Sequence, residues 1–330
     1  MYVIGIDIGG TKVSVCLGDL EGAIFAHQKV PTSTLENPEV GLRKIKTLIG
    51  DLLVEQNIEV QDIKAIGLSM PGSISIKEGM MIAPPNLPSW NKVPIVAYLR
   101  HEFEKPVFMN NDANAAVLAE WKFGSVKGVD NLIYLTMSTG MGGGIISNGK
   151  LLQGATDTAG EVGHLVLDPE GPNCPCGQRG CFEAYCGGKN IATFLKEDIA
   201  KKKIKTKIEE LVKGDLNAID MKTFVTAVRE NDSYAIEVWE RYINRLAQGI
   251  GILLMTLNPD AIILGTIAIK NHDLLMKPLR KALGRFSWKE PLNHCHIQES
   301  KLGVEIGMIG ALTLAIEGLS SFEFGGGLSF

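Results

Sequence analysis

Several common signatures are missing from this chain, and each omission removes a class of function. There is no G-x-x-x-x-G-K-[ST] loop, which excludes a P-loop enzyme. No G-x-G-x-x-G turn opens a helix in the Rossmann manner. No basic stripe is present: 33 Lys and Arg stand against 37 Asp and Glu, a net charge of −4, so no nucleic-acid partner is expected. The one charge-dense run, Lys196–Lys213, alternates in sign and reads as the solvated face of a helix. The N-terminus MYVIGIDIGG carries neither a basic leader nor a cleavage site, and the longest apolar stretch read from the sequence, Gly249–Leu257, is too short to span a bilayer. A cytoplasmic protein with no membrane partner is expected. In that reducing compartment the six cysteines read as metal ligands or buried thiols, not disulfides.

What is present is a core and a repeated grammar. The chain has 330 residues, 45% of them apolar, enough for about two domains. Val3–Ile8, the run from Val13 to Leu17, and Ala23–Val30 read as three consecutive antiparallel strands. Asn37-Pro38 then supplies a cap and a first-turn proline for a helix whose apolar residues run from Leu42 to Leu53, and Ile63–Ser69 is a further strand. The pattern returns later: strand Leu132–Met137, a glycine break at Ser138–Gly144, and a resumed strand at Ile145-Ile146. A helix at about 234–257 and strand Ala261–Leu264 follow. Two related lobes are the simplest architecture.

Both breaks are candidate phosphate sites. In Asp7-Ile8-Gly9-Gly10-Thr11-Lys12, adjacent glycines let backbone N–H groups approach an anion, Thr11 and Lys12 add a hydroxyl and a charge, and Asp7 is placed to hold a hydrated Mg2+. In Ser138-Thr139-Gly140-Met141-Gly142-Gly143-Gly144, four glycines in five residues (140–144) disfavour any regular element, so something must justify the entropy they cost. The alternative for each is a glycine-containing hairpin turn. Asp112, in Asn110–Ala116, has two readings: the N-cap of a helix over Val117–Phe123, or a carboxylate that takes a proton from an attacking hydroxyl. Cys174, Cys176 and Cys181, with His164 ten residues before the first of them, form a Cys3His set on a Pro- and Gly-rich loop. That is a complete tetrahedral shell for a structural Zn2+, against the alternative of scattered buried thiols.

Taken together, DIGGTK (Asp7–Lys12), NNDANAA (Asn110–Ala116), STGMGGG (Ser138–Gly144), EVGH (Glu161–His164) and CPCGQRGCFEAY (Cys174–Tyr185) make the chain resemble the ROK family of repressors, open reading frames and kinases. Among its members it looks most like the ATP-dependent glucokinases, a likeness that includes Ala83–Val93. The resemblance implies an α/β, actin-like ATPase (ribonuclease H-like) fold of two lobes with a central cleft. Residues 1–112, completed by a C-terminal helix near 307–320, would form the small lobe and 113–306 the large lobe with a zinc loop at 164–183; 321–330, without a counterpart in the family, is expected to be a disordered tail. It further implies Asp112 as catalytic base, with Gly72, Asn111, Asp112, Glu161, His164 and Glu183 on the sugar. Asp7, Gly9, Gly10, Thr11, Lys12, Thr139, Gly140, Gly142 and Gly143 would serve ATP-Mg2+, and His164, Cys174, Cys176 and Cys181 would bind zinc. A hexose substrate and a dimer or tetramer are expected. A sugar-responsive repressor would need an N-terminal winged helix before Tyr2 or Val3. A non-catalytic sugar-binding module would need neither the phosphate turns nor Asp112. The pair Gly265-Thr266 departs from the family's Gly-Gly near the adenosine.

Overall fold

The computed structural model describes residues 1–84 and 87–323, with side chains except at 83 and 321–323. Pro85 and Asn86 of the Ala83–Val93 stretch lie outside the described residues, as does the expected tail beyond 323. The chain divides into two compact units: Met1–Gly128 with Leu151–Ala159 and the segment from Leu302, and Val129–Lys150 with Gly160–Lys301.

The first unit opens with β1 (Tyr2–Ile8), β2 (Lys12–Gly18) and β3 (Ile24–Pro31), an antiparallel run as expected. Helix α1 (Pro38–Glu55) follows, its end capped by the Asn37 side chain accepting from Val40 N at 3.0 Å. Then come β4 (Ile63–Met70), the small hairpin β5 (Ser73–Ser75) and β6 (Met80–Ala83), α2 (Ile95–Phe103), β7 (Val107–Asn111) and α3 (Asp112–Phe123). The main sheet has the order β3-β2-β1-β4-β7, with β4 and β7 parallel to β1. Helix α3 packs within this unit, which therefore runs on to Gly128 and past the boundary expected at 112.

The second unit repeats that order. It contains β8 (Leu132–Met137), β9 (Met141–Ser147), the first residue of β10 (Lys150–Leu151), α4 (Phe182–Cys186), α5 (Gly188–Lys202), α6 (Lys207–Leu211), α7 (Met221–Arg229) and α8 (Ser233–Leu257). It continues with β11 (Ala261–Leu264), α9 (Thr266–Lys270), α10 (His272–Leu283), α11 (Lys289–His294) and β12 (His296–Glu299). The sheet order is β10-β9-β8-β11-β12, again with an antiparallel hairpin on one side of the first strand and two parallel strands on the other. The strand–turn–strand pattern seen twice in the sequence is thus one topology used twice.

Helix α12 (Ile306–Glu323) returns to the first unit. By length and composition Gly303–Ser320, which joins the turn before α12 to most of the helix, could cross a membrane, so it exceeds the apolar run found by reading the sequence. It is a core helix here. Met308, Leu312, Ala315 and Ile316 are buried against Val3, Cys16 and Ala65, on the sheet face opposite Ile4, Ile6 and Ile8, which pack with α1 and α2. Strand β1 is covered on both faces, which is why it reads as an unbroken apolar run and not an alternation. The approach of α12 is close: a Cβ at Gly67 would stand 1.9 Å from Ala311 O. Only glycine fits there.

Two local expectations change. Lys196–Lys213 is not one helix, since α5 ends at a left-handed Lys203 and α6 starts afresh from the Thr206 cap. Gly142, Gly143 and Gly144 do not break the strand; they lie inside β9. The physical reason is packing, because a Cβ at Gly143 would come within 2.7 Å of the Val162 side chain. Glycine's entropic cost there is offset by a close approach of the 160–163 segment.

Candidate active site

In the first unit the turn between β1 and β2 is closed by Gly9 N donating to Lys12 O at 2.9 Å. Thr32 ties it from behind, its hydroxyl donating to Gly9 O at 2.7 Å and its N–H to Thr11 O at 3.0 Å. A trans peptide points its C=O and N–H in opposite directions. With those two carbonyls held by Thr32, the N–H groups of Gly10 and Lys12 face the other way, as an anion nest requires. Gly10, Thr11 and Lys12 are exposed.

Asp7 stands at the end of β1, half-buried. Burial pushes its carboxyl up to about 6, while the Ser69 hydroxyl, 3.4 Å from Oδ1, and the Lys12 charge pull it back. A Cβ at Gly307, in the first turn of α12, would lie 2.4 Å from Asp7 Oδ2. The carboxylate therefore sits against a helix N-terminus, which favours negative charge. A carboxylate so poorly solvated, held by one long hydrogen bond, suits a cation that brings its own water. Ser69 and Gly307 escaped the sequence reading; neither lies near Asp7 in sequence.

At the junction of β7 and α3 the cap expected of Asp112 falls to its neighbour. Asn111 makes the cap, its Oδ1 accepting from Asn114 N at 2.7 Å. Asp112 is the first helical residue and is exposed. Gly72, just past β4, is exposed with φ +89°, a conformation that favours glycine.

In the second unit the turn between β8 and β9 is built like the first. Gly188 N donates to Ser138 O and Lys189 N to Thr139 O, both at 2.9 Å. By the same peptide geometry the N–H groups of Thr139 and Gly140 point away from α5. Glu183, on α4, accepts from Met141 N through Oε2 at 2.8 Å. A Cβ at Gly140 would meet that oxygen at 2.4 Å. Glu183 thus braces the turn, a role the sequence did not suggest. Glu161 is exposed and precedes the short 3-10 turn Val162–His164.

His164, Cys174, Cys176 and Cys181 come together with all four ligand atoms within 4.8 Å of one another. Cys174 Sγ is 3.6 Å from His164 Nδ1, and Cys176 Sγ is 3.7 Å from Cys181 Sγ. A tetrahedral zinc with bonds of about 2.3 Å to sulfur and about 2.0 Å to nitrogen would set those separations at about 3.5 and about 3.8 Å. The donor set fits. The loop is anchored to α8: Asp168 Oδ2 accepts from Arg245 Nη2 at 2.9 Å and from Tyr185 Oη at 3.2 Å, and the Arg245 guanidinium lies 4.3 Å over the Tyr185 ring. Cys16, Cys186 and Cys295 are buried elsewhere.

A model of the ROK family matches residues 3–318. The chain belongs to the ROK family. It is 33% identical over 317 residues to a protein of Thermotoga maritima named glucokinase, covering 96% of this chain and 98% of that one. It is 29% identical to the xylose repressor of Bacillus spizizenii, covering 96% of this chain and 77% of the repressor. Among solved structures, a ROK family glucokinase from Streptomyces griseus in complex with glucose and AMPPNP aligns with a TM-score of 0.79. The identity there is 29%, over 96% of this chain and 100% of that one. All five sequence motifs lie inside the ROK match. The pair Gly265-Thr266 opens helix α9, with Gly265 as its N-cap.

Proposed function

We propose that this ROK protein is a cytoplasmic hexose kinase of the actin-like ATPase fold, transferring the γ-phosphoryl group of ATP to the C6 hydroxyl of a hexose, glucose first. One observation carries the reading. Two turns of the same construction, carbonyls tied back and N–H groups outward, accompany an exposed acid that its own helix does not use as a cap. Similarity along nearly the whole chain to a protein named glucokinase supports it.

In this reading Asp112 takes the proton as the C6 oxygen attacks phosphorus and ADP leaves. Orienting that oxygen is most of what the reaction asks of it. Asn111, Glu161, His164 and Glu183, with the backbone at Gly72, hydrogen-bond the sugar. Charged partners in such a site reject an analogue that leaves one of them unpaired. Gly9, Gly10, Thr11 and Lys12 take phosphate oxygens, as do Thr139 and Gly140; Gly142 and Gly143, paired within β9, serve the turn by close packing. Asp7 would hold a hydrated Mg2+, which would neutralise charge on the phosphates when bound. His164 would hold zinc through Nδ1 and offer Nε2 to a sugar hydroxyl, and a bound metal would fix its tautomer and ring plane. Four protein ligands would close the zinc shell and leave no position for a reacting water, a structural site.

The likeness to a xylose repressor favours a second reading, a sugar-responsive regulator that binds without turnover. The test is a panel of glucose, fructose, xylose and N-acetylhexosamines with ATP or polyphosphate, the product analysed by NMR for the position of the phosphate. Glucose 6-phosphate from ATP is expected. Saturable sugar binding with no phosphorylated product from either donor would replace the kinase reading with the regulatory one.

A further inference from the structure

The residues around Asp112 hold a feature that neither the cap nor the sugar contacts explain. Asp7, Ser69 and Asn110 lie in register across the three parallel strands β1, β4 and β7, at the ends where those strands deliver their loops. Ser69, Asn110 and Asn114 are fully buried. Asn110 Oδ1 accepts two hydrogen bonds at 2.9 Å, one from Asn111 N and one from Asn114 Nδ2. Asn114 N in turn donates to Asn111 Oδ1 at 2.7 Å. The three asparagines form a closed ring of hydrogen bonds, and Asp112 is carried on the backbone between two of its members.

This arrangement costs stability. Asn110 Nδ2 and Asn114 Oδ1 are each buried with no hydrogen-bond partner. Leaving a buried amide group unsatisfied is unfavourable, whereas an apolar pair of similar shape would bury at little cost. Capping α3 requires only Asn111, so stability of the helix does not account for the other two. Buried polar networks of this kind fix one geometry at the expense of stability, and the geometry fixed here is the direction in which Asp112 leaves the sheet.

We propose that Asn110 and Asn114 are positioning residues for Asp112: they lock the β7–α3 junction so that its carboxylate keeps one orientation toward the attacking hydroxyl. This inference rests on the kinase reading for its catalytic consequence, though not for the rigidity itself. Neither asparagine is assigned to substrate. Their action passes through the backbone of Asn111 and the first turn of α3.

Two measurements on the full chain separate the parts. The first is amide hydrogen exchange in wild type and Asn110→Ala. The Asn114 amide keeps its own acceptor, Asn111 Oδ1, in that variant, yet its exchange should rise at least about tenfold because the ring is open. Unchanged protection at Asn114 would overturn the locking role, whatever the protein's activity. The second is a kinetic cycle with Asn114→Ala, the milder change because the backbone cap remains. In the wild-type background kcat should fall about 100-fold, the order expected of a misplaced catalytic group, with the KM for ATP unchanged within about twofold. In the Asp112→Ala background the same change should alter the residual rate by less than about twofold, since there is no carboxylate left to misplace. Equal losses in both backgrounds would show a role independent of Asp112 and refute the proposal. Loosened exchange at Asn114 in a protein that phosphorylates no sugar would leave the lock standing and remove the kinase reading instead.

Discussion

Replacing Asp7 with asparagine should make the protein more stable and nearly inactive, and the two effects have one cause. Burial raises the Asp7 carboxyl from 3.8 to about 6. Its folded-state value lies above its unfolded value, so the native state holds this proton more tightly than the unfolded chain does. The resulting penalty is absent below about pH 4, grows as pH rises through the window between the two values, and is complete above about pH 6. About two pH units at 1.36 kcal/mol each put its full size near 3 kcal/mol, an upper figure because the amide must also be hydrogen-bonded. Asp7→Asn removes the charge and keeps the shape. Denaturant melts of wild type and variant at pH 4.5, 5.5 and 7 should show the variant gaining up to that amount at pH 7, with the gain shrinking toward pH 4.5. Mg2+ with ATP should then stabilise wild type and not the variant, and kcat should fall by about a hundredfold or more, since a phosphate-bound metal contributes several kcal/mol. A variant less stable than wild type at pH 7, or a gain that does not change with pH, would refute the claim that this carboxylate is held at a cost for a cation.

Other outcomes follow from the second unit. Cys176→Ser, at the exposed member of the Cys3His set, should lose one equivalent of zinc by elemental analysis and raise the glucose KM about 10- to 100-fold; a zinc-free variant with unchanged KM would show that the loop does not organise the sugar site. Gly140→Ala places a methyl 2.4 Å from Glu183 Oε2. It should lower kcat/KM at least about tenfold, about 1.4 kcal/mol of transition-state binding, and wild-type kinetics would mean that the Glu183 brace carries no function.

Much of the fold was legible because it rests on local rules. Asn37-Pro38 opened α1 as a cap and first-turn proline should, and the repeated strand–glycine turn–strand pattern corresponds to two sheets of identical order. The Cys3His spacing was enough to anticipate four side chains within reach of one ion. What could not be read depends on contacts between distant segments. Gly142–Gly144 looked like a loop because their reason for being glycine, the 160–163 segment lying against β9, is remote in sequence. The cap fell to Asn111 and not Asp112 because the capping bond selects by backbone geometry at the end of β7, where either residue type would serve chemically. Ser69 and Gly307, which shape the surroundings of Asp7, carry no local signature. The clasp of Arg245 on Asp168 and Tyr185 joins an ordinary helix position to the Cys3His loop.

The central claim is tested most directly by ADP release from ATP-Mg2+ with and without glucose, in wild type beside Asp112→Ala. The account predicts glucose-stimulated release in wild type, and a loss of about a thousandfold or more in kcat in the variant, with glucose binding retained, as expected when a positioned proton acceptor and its orienting contact are removed together. No stimulation by any hexose, or a variant that turns over like wild type, would contradict it.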